Sequence, residues 1–393
     1  MVAAAVHYDP FAYETHENPY PIYQRLRDEA PAYYNPELDF WALSRYDDVR
    51  SALLDHETFC SGQGFVLEDI TAVGLPMVLG MDPPDHTRVR ATINRALTPR
   101  RVAALEVPIR RLARALLDGF VPAGQGDIIA DFGAELPMWV ISELLRVPEA
   151  DRTRLRTWAD EMVHRDDKLK GLPPRSVDAG RQLGTYFQDM LQRRSATDRD
   201  DLLSLLLAAE QRGELGHLEI VGFCFLLIIA GNETTTKLIG NMAYQLSRHP
   251  EQRQRLLEDP SLIPNAVEEV LRYESSTHLM ARTLTRDVRL HGKTMEKGKK
   301  VAVILAAANR DGRFWRDPDV FDVGRDTAGH LAFGIGIHHC LGASLARLEA
   351  TIALQEILAR IPDFQVDAEG LERVHSGNVR GFGKVPITFT PAR

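Results

Sequence analysis

The sequence predicts a mainly α-helical protein with minor β structure, arranged as one large domain over residues 1–393. Three observations carry that expectation. From about Pro83 to Arg360, apolar residues recur at helical spacing. The strand-like pieces are short and scattered. No compositional break, internal repeat or low-complexity linker divides the chain, although a prior of roughly 150 residues per domain would suggest two or three.

In chain order, residues 20–29 read as a helix and Phe40-Trp41-Ala42-Leu43 as a strand. The longest strongly apolar run, residues 220–230, is shorter than the roughly 18 residues a membrane span needs. It reads as a helix buried inside a large fold. Residues 261–273 place Leu262, Ile263, Ala266, Val267, Val270 and Leu271 on one helical stripe. Leu341, Leu345, Leu348 and Ile352 repeat the pattern at 4-3-4 spacing. Residues 288–290, 301–305, 364–366 and 386–389 look like small strands.

Lys and Arg number 47 and Asp and Glu 55, a formal charge of −8, with 44% hydrophobic and 26% charged residues. These are ordinary values for a soluble protein with a large core. They exclude a disordered chain, a collagen-like chain and a strongly basic nucleic-acid binder. Three cysteines, Cys60, Cys224 and Cys340, are too few for a disulfide scaffold and leave at least one free. A reducing, cytoplasmic setting is expected. The N-terminus shows neither a positive segment nor an apolar stretch of signal-peptide length, so a freely soluble protein without a membrane anchor is expected.

The sharpest local signal is Phe333-Gly334-Ile335-Gly336-Ile337-His338-His339-Cys340-Leu341-Gly342. Its glycines permit backbone conformations and close approaches closed to other residues. Cys340 stands just before an amphipathic helix, whose free N–H groups and positive end would lower a thiol's pKa and favour it as a metal ligand. One thiolate without further Cys ligands is not a zinc site. It suits an axial ligand to a flat cofactor.

With F-G-x-G-x-H-x-C-x-G complete, the chain resembles the cytochrome P450 family, soluble bacterial type. The resemblance implies haem b, held between the long central helix and the helix after the cysteine loop. Cys340 maps onto the thiolate on iron, which favours O–O cleavage. His338 maps onto a propionate contact, and Phe333, Gly334 and Gly342 onto the rest of the loop. Glu269-Val270-Leu271-Arg272 is an E-x-x-R whose ends share a helix face. With Arg325 it matches the family's structural Glu-Arg-Arg network. Ala230-Gly231-Asn232-Glu233-Thr234-Thr235 matches A-G-x-[DE]-T-T. There Glu233 and Thr234 would relay protons toward dioxygen, and Gly231 would let the helix approach the haem, with room for local distortion. His86 and Arg90 form an H-x-x-x-R, and Arg282 follows the E-x-x-R helix; all three map onto propionate partners.

The family's recognition regions correspond to residues 59–79, 162–187, the central helix before Ala230, 276–280 and 378–382. Candidate pocket residues are Phe65, Val66, Leu227, Leu279, Met280 and Phe382, with Arg380 facing either an acidic group or solvent. Their apolar character implies a mainly apolar small organic substrate, hydroxylated or epoxidised with one oxygen atom of O2. No flavin or nicotinamide motif is present. Electrons are therefore expected from a separate ferredoxin or flavodoxin with its reductase, docking near Arg95, Arg100, Arg101, His339 and Arg347. A monomer is expected. The alternatives are a peroxide-driven peroxygenase and a haem-thiolate sensing protein without turnover; the Glu233/Thr234 pair disfavours both.

Overall fold

The computed structural model describes residues 5–70, 73–194 and 201–391. The expected recognition stretch 59–79 therefore includes two positions, 71 and 72, that lie outside the described residues. Helices dominate, and the sheets are small. A central helix, His217–Arg248, runs for 32 residues and contains the apolar run 220–230. By length and composition it could cross a membrane, but much of it is buried in the fold. The helices Glu135–Leu145, Glu149–Val163, Pro174–Gln192 and Ala343–Arg360 pack against it.

The helix Tyr20–Glu29 and the strand Phe40–Leu43 form where their sequence patterns predict. The stripe at 261–273 divides into a short 3-10 turn, Pro260–Leu262, and an α-helix, Ile263–Tyr273. Pro264 sits at the start of that helix, where its missing N–H would be unpaired anyway. The piece 301–305 also differs from expectation. The strand is Lys300–Val303, and Leu305–Ala308 turns back as a short helix.

The main sheet has five strands in the order Ala32–Asn35, Phe40–Leu43, Lys300–Val303, Met280–Leu284, Phe59–Cys60. Phe40–Leu43 runs parallel to Lys300–Val303, and the other pairs are antiparallel. This sheet divides the smaller core. Trp41, Leu43, Val301 and Val303 bury on one face, while Phe40, Ala42, Leu279, Ala281 and Ala302 meet Tyr8 and Tyr23 on the other. The period of two along each strand decides which face a residue joins.

Candidate active site

A cavity of about 290 Å³ lies between the central helix and the cysteine loop. Its helix wall is formed by Phe223, Leu226, Leu227, Ala230, Gly231, Thr234, Thr235 and Leu238. Steps of three and four line these residues up as two adjacent rows on one broad face. The facing wall is Phe333, Gly334, Cys340 and Gly342.

The cysteine loop is shaped by its own glycines. Gly334 and Gly336 have φ of 65° and 79°, conformations that side chains disfavour. A Cβ on Gly336 would also stand 2.9 Å from the Leu53 carbonyl oxygen. The Cys340 N–H then donates to the Phe333 carbonyl at 2.9 Å and closes the loop. The helix beyond begins at Ala343, capped by Gly342. Cys340 is exposed to the cavity, but the protein packed around it desolvates the sulfur, and this outweighs the N–H groups of Gly342 and Ala343 and the charges of Arg90 and Arg347 and pushes the thiol's pKa up. This corrects the expectation of a lowered value for the polypeptide alone. A metal ion bound at the sulfur would supply the missing charge, because a coordinating thiol is deprotonated outright.

Arg90, Arg282 and His338 line one part of the same cavity. His86 does not reach the wall. It stands behind His338, edge to face, with ring centroids 4.4 Å apart. The Nε2 atoms of both histidines are buried without a hydrogen-bond partner. Arg282 Nη1 donates to the adjacent Ala281 carbonyl at 2.7 Å, and Arg90 Nη2 to the His339 carbonyl at 2.5 Å. Burial, with the charges of Arg282, His86 and Arg90, drives His338 down to about 3. Burial holds Arg282 down to about 10. Arg90 and Arg282, whose hydrogen bonds go to those carbonyls, stand beside a neutral His338 and form a place for an anion. A thiol donor, apolar walls and this cationic edge fit haem and its two carboxylates.

The network behind the loop is complete. Glu269 and Arg272 are both 0% exposed and pair through two bonds of 2.7 and 2.8 Å. Arg325 Nε lies 3.3 Å from Glu269. Arg272 also donates to the Asn309 and Pro318 carbonyls at 2.9 Å. A neighbouring clamp escaped the sequence reading: Glu268 binds His330 at 2.8 Å and Arg347 at 2.7 Å. It ties together the two chain segments that flank the cysteine loop.

Glu233 and Thr234 part company. Thr234 lies on the cavity, its hydroxyl donating to the Ala230 carbonyl at 2.7 Å. Glu233 is 1% exposed and faces a different cavity, with Oε2 3.2 Å from Lys237 Nζ. Residues 230, 231, 234 and 235 make the cavity face of this stretch, which leaves Glu233 on the other side of the helix. Placing both on the haem face is corrected. Gly231 lines the cavity, but a Cβ there would meet Ile141 Cδ1 at 2.8 Å, so the close approach it permits is to a neighbouring helix. The central helix runs unbroken through Gly231. The widened turn is elsewhere, a π-helical Ile128–Gly133.

Of the pocket candidates, Leu227 and Met280 line the cavity. Leu279 does not; as the neighbour of Met280 it takes the opposite sheet face, beside Ala281. Phe382 is in the core with its ring 4.8 Å from Tyr244. Val66 is buried outside the cavity, and Phe65 packs on Gly80. Arg380 is buried on Glu274 at 2.7 Å. Among the proposed docking residues, Arg95 is bound to Glu214 and Arg347 to Glu268. Glu349 was missed. It lines the cavity from the cysteine helix, fully buried, with one carboxyl oxygen lacking a partner, and burial raises it to about 8.

A thiol at a tight loop, open to the cavity, with a cationic edge and a long helix opposite, is the arrangement of a haem-thiolate enzyme. Comparison with known proteins agrees. A family model for Cytochrome P450 matches residues 181–373. The Mycobacterium tuberculosis protein named cytochrome P450 123 is 43% identical over 386 residues, 97% of this chain and 96% of the relative. The vitamin D(3) 25-hydroxylase of Pseudonocardia autotrophica is 39% identical over 399 residues, 98% of this chain and 97% of the relative. The crystal structure of CYP109E1 from Bacillus megaterium with testosterone superposes with a TM-score of 0.90 at 35% identity, covering 96% of this chain and 99% of that one. The chain belongs to the cytochrome P450 family and is an oxidoreductase of the monooxygenase type, similar to bacterial hydroxylases.

Proposed function

We propose that this chain inserts one oxygen atom of O2 into a neutral, steroid-sized, mainly apolar molecule, using haem b and electrons from a separate ferredoxin or flavodoxin with its reductase in the bacterial cytoplasm. The carrying observation is the shared cavity, which joins Cys340, the cations Arg90 and Arg282, the imidazole of His338, and the largely apolar helix face that carries Thr234. Haem, when bound, supplies the chemistry that activates dioxygen. Cys340 Sγ would hold the iron. Arg90, Arg282 and His338 would hold the propionates, with His86 supporting His338. Thr234 would present a hydroxyl to the reacting side, and its proton must leave the Ala230 carbonyl to be donated there. Leu226, Leu227 and Met280 would orient the substrate and exclude water.

Neutrality follows from charge. Among the described residues, the cationic groups lining the cavity are Arg90 and Arg282, both assigned to propionates with the neutral His338 beside them, and Arg380 is held by Glu274. A substrate carboxylate would be desolvated without a partner. Steroid size is taken from CYP109E1, whose solved complex contains testosterone, and from the hydroxylase named for vitamin D(3). The test is a ligand screen for the low-to-high-spin shift. Neutral steroids should shift the spectrum and fatty acids of similar length should not; the reverse ranking would contradict the proposal.

A further inference from the structure

The chain leaving the strand Phe59–Cys60 is fastened by two charged groups before it reaches the cavity. Lys300 opens the strand Lys300–Val303 of the main sheet. Its Nζ donates to the Val66, Leu67 and Glu68 carbonyls at 2.9, 3.1 and 3.1 Å. An ammonium has three N–H groups and no acceptor, so this one spends every donor on three consecutive carbonyls. The Glu68 carboxylate accepts from Arg165 Nε at 2.5 Å, and both side chains are buried. Arg165 is itself fixed. Its Nη1 donates to the Met162 and His164 carbonyls at 2.9 and 2.8 Å, and its backbone N–H to the His375 carbonyl at 2.8 Å. The pair therefore ties residues 61–70 to the end of the helix Glu149–Val163. Glu68, Arg165 and Lys300 all stand outside the set of residues that line the cavity.

The fastened residues touch the cavity wall at second hand. The Ser61 and Gly62 N–H groups each donate to the Asp82 carboxylate at 2.8 Å, which closes the base of the loop. The Ala281 N–H donates to the Phe65 carbonyl at 2.8 Å, on the strand whose Met280 and Arg282 line the cavity. The Phe65 ring packs on Gly80, where a Cβ would stand 3.1 Å from its Cδ1. Val78 and Leu79, just before Gly80, are cavity wall. On their other side Pro76 crosses the central helix so closely that a Cβ on Gly222 would stand 2.4 Å from the Pro76 carbonyl oxygen. We propose that Lys300 and the Glu68–Arg165 pair are positioning residues that keep the wall at Val78 and Leu79 formed before a ligand enters, and so favour large apolar molecules that reach it. A wall that must be ordered on binding subtracts that cost from affinity. A small ligand confined to the sulfur side of the cavity does not feel the difference.

The inference rests on the haem-thiolate reading of the cavity, which the reduced carbon monoxide spectrum of the same samples reports by itself. Two iron-binding azoles, imidazole and the bulky apolar tritylimidazole, are titrated spectrally into the holoenzyme. Lys300→Met should weaken tritylimidazole by about 10-fold and leave imidazole within about 2-fold of wild type, the signature of lost preorganisation. Amide hydrogen exchange over residues 61–70 should quicken while the central helix keeps its wild-type rate, because the opening is local. The double variant Glu68→Gln with Arg165→Met strands neither charge. It should show the same split, and it decides the matter if Lys300→Met fails to hold haem. A role in stability alone would lower the haem-loaded fraction and leave both affinities of that fraction unchanged. Unchanged exchange over residues 61–70, tritylimidazole bound as tightly as in wild type, or both azoles weakened alike would overturn the proposal.

Discussion

Thr234 and Glu349 are the residues on which the chemistry of the cavity can be probed one atom at a time. Thr234→Ala removes the hydroxyl and leaves the rest of the helix face in place. We predict a fall of roughly 10-fold or more in product per O2, the scale of a lost proton donor, with peroxide release rising to match, measured against oxygen uptake. Glu349 behaves differently, because its carboxyl lies fully buried in the cavity wall with its pKa up near 8. The native state keeps a proton that the unfolded chain gives up above its ordinary value, so stability declines as pH rises from about 4.5 to 8. Glu349→Gln should remove that decline and stabilise the protein at pH 7 by on the order of 1–3 kcal/mol. Urea unfolding at pH 5 and 8 checks it; parallel pH dependence in both proteins would refute it. The sequence hides Glu349 because a carboxylate inside an otherwise ordinary helical stripe looks like a surface position. The separation of Glu233 from Thr234 depends on where the broad cavity face ends: Thr234 and its neighbour Thr235 both lie on it, and Glu233 falls beyond its edge.

Among the elements, the helix Ile263–Tyr273 does two tasks with adjacent acids. Glu269 builds the interior network with Arg272 and Arg325, and Glu268 clamps His330 and Arg347 around the cysteine loop. Arg272→Ala would strand Glu269, and losing one partner of a buried pair costs about 3–5 kcal/mol. We expect the variant to lose most native haem incorporation, read as the ratio of haem to protein absorbance. Glu268 is held down at about 2: burial raises it, but His330 and Arg347 outweigh burial. Its contribution is therefore present above about pH 4.5 and is lost as pH falls toward 2, on the order of 2–3 kcal/mol by linkage. Glu268→Gln should flatten this acid limb in unfolding experiments. An unchanged acid limb would show that the clamp does not couple to folding. E-x-x-R was visible in the sequence because its logic is confined to one turn. The Glu268 clamp was not, because its partners lie 62 and 79 positions away.

At the level of the whole molecule, local and distant information divide the same way. The cysteine loop, the central helix and the short strands follow from motif chemistry and hydrophobic period, and they form near where the sequence places them. The pocket was harder. Met280 and Arg282 share a strand face and both reach the cavity, while Leu279 turns away into the N-terminal core. Phe382 and Val66 fall in stretches matched to the family's recognition regions, but their apolar character suits a buried core equally well, and there they lie. What unites the fold is one cavity between the central helix and Cys340, and the account stands on that sulfur being the ligand to haem iron. The most direct measurement is the reduced carbon monoxide spectrum of the wild type and of Cys340→Ser. The account predicts the red-shifted band of a thiolate-bound haem in the wild type and its loss in the variant. A wild type without that band, or a variant that keeps it, would contradict the assignment of Cys340.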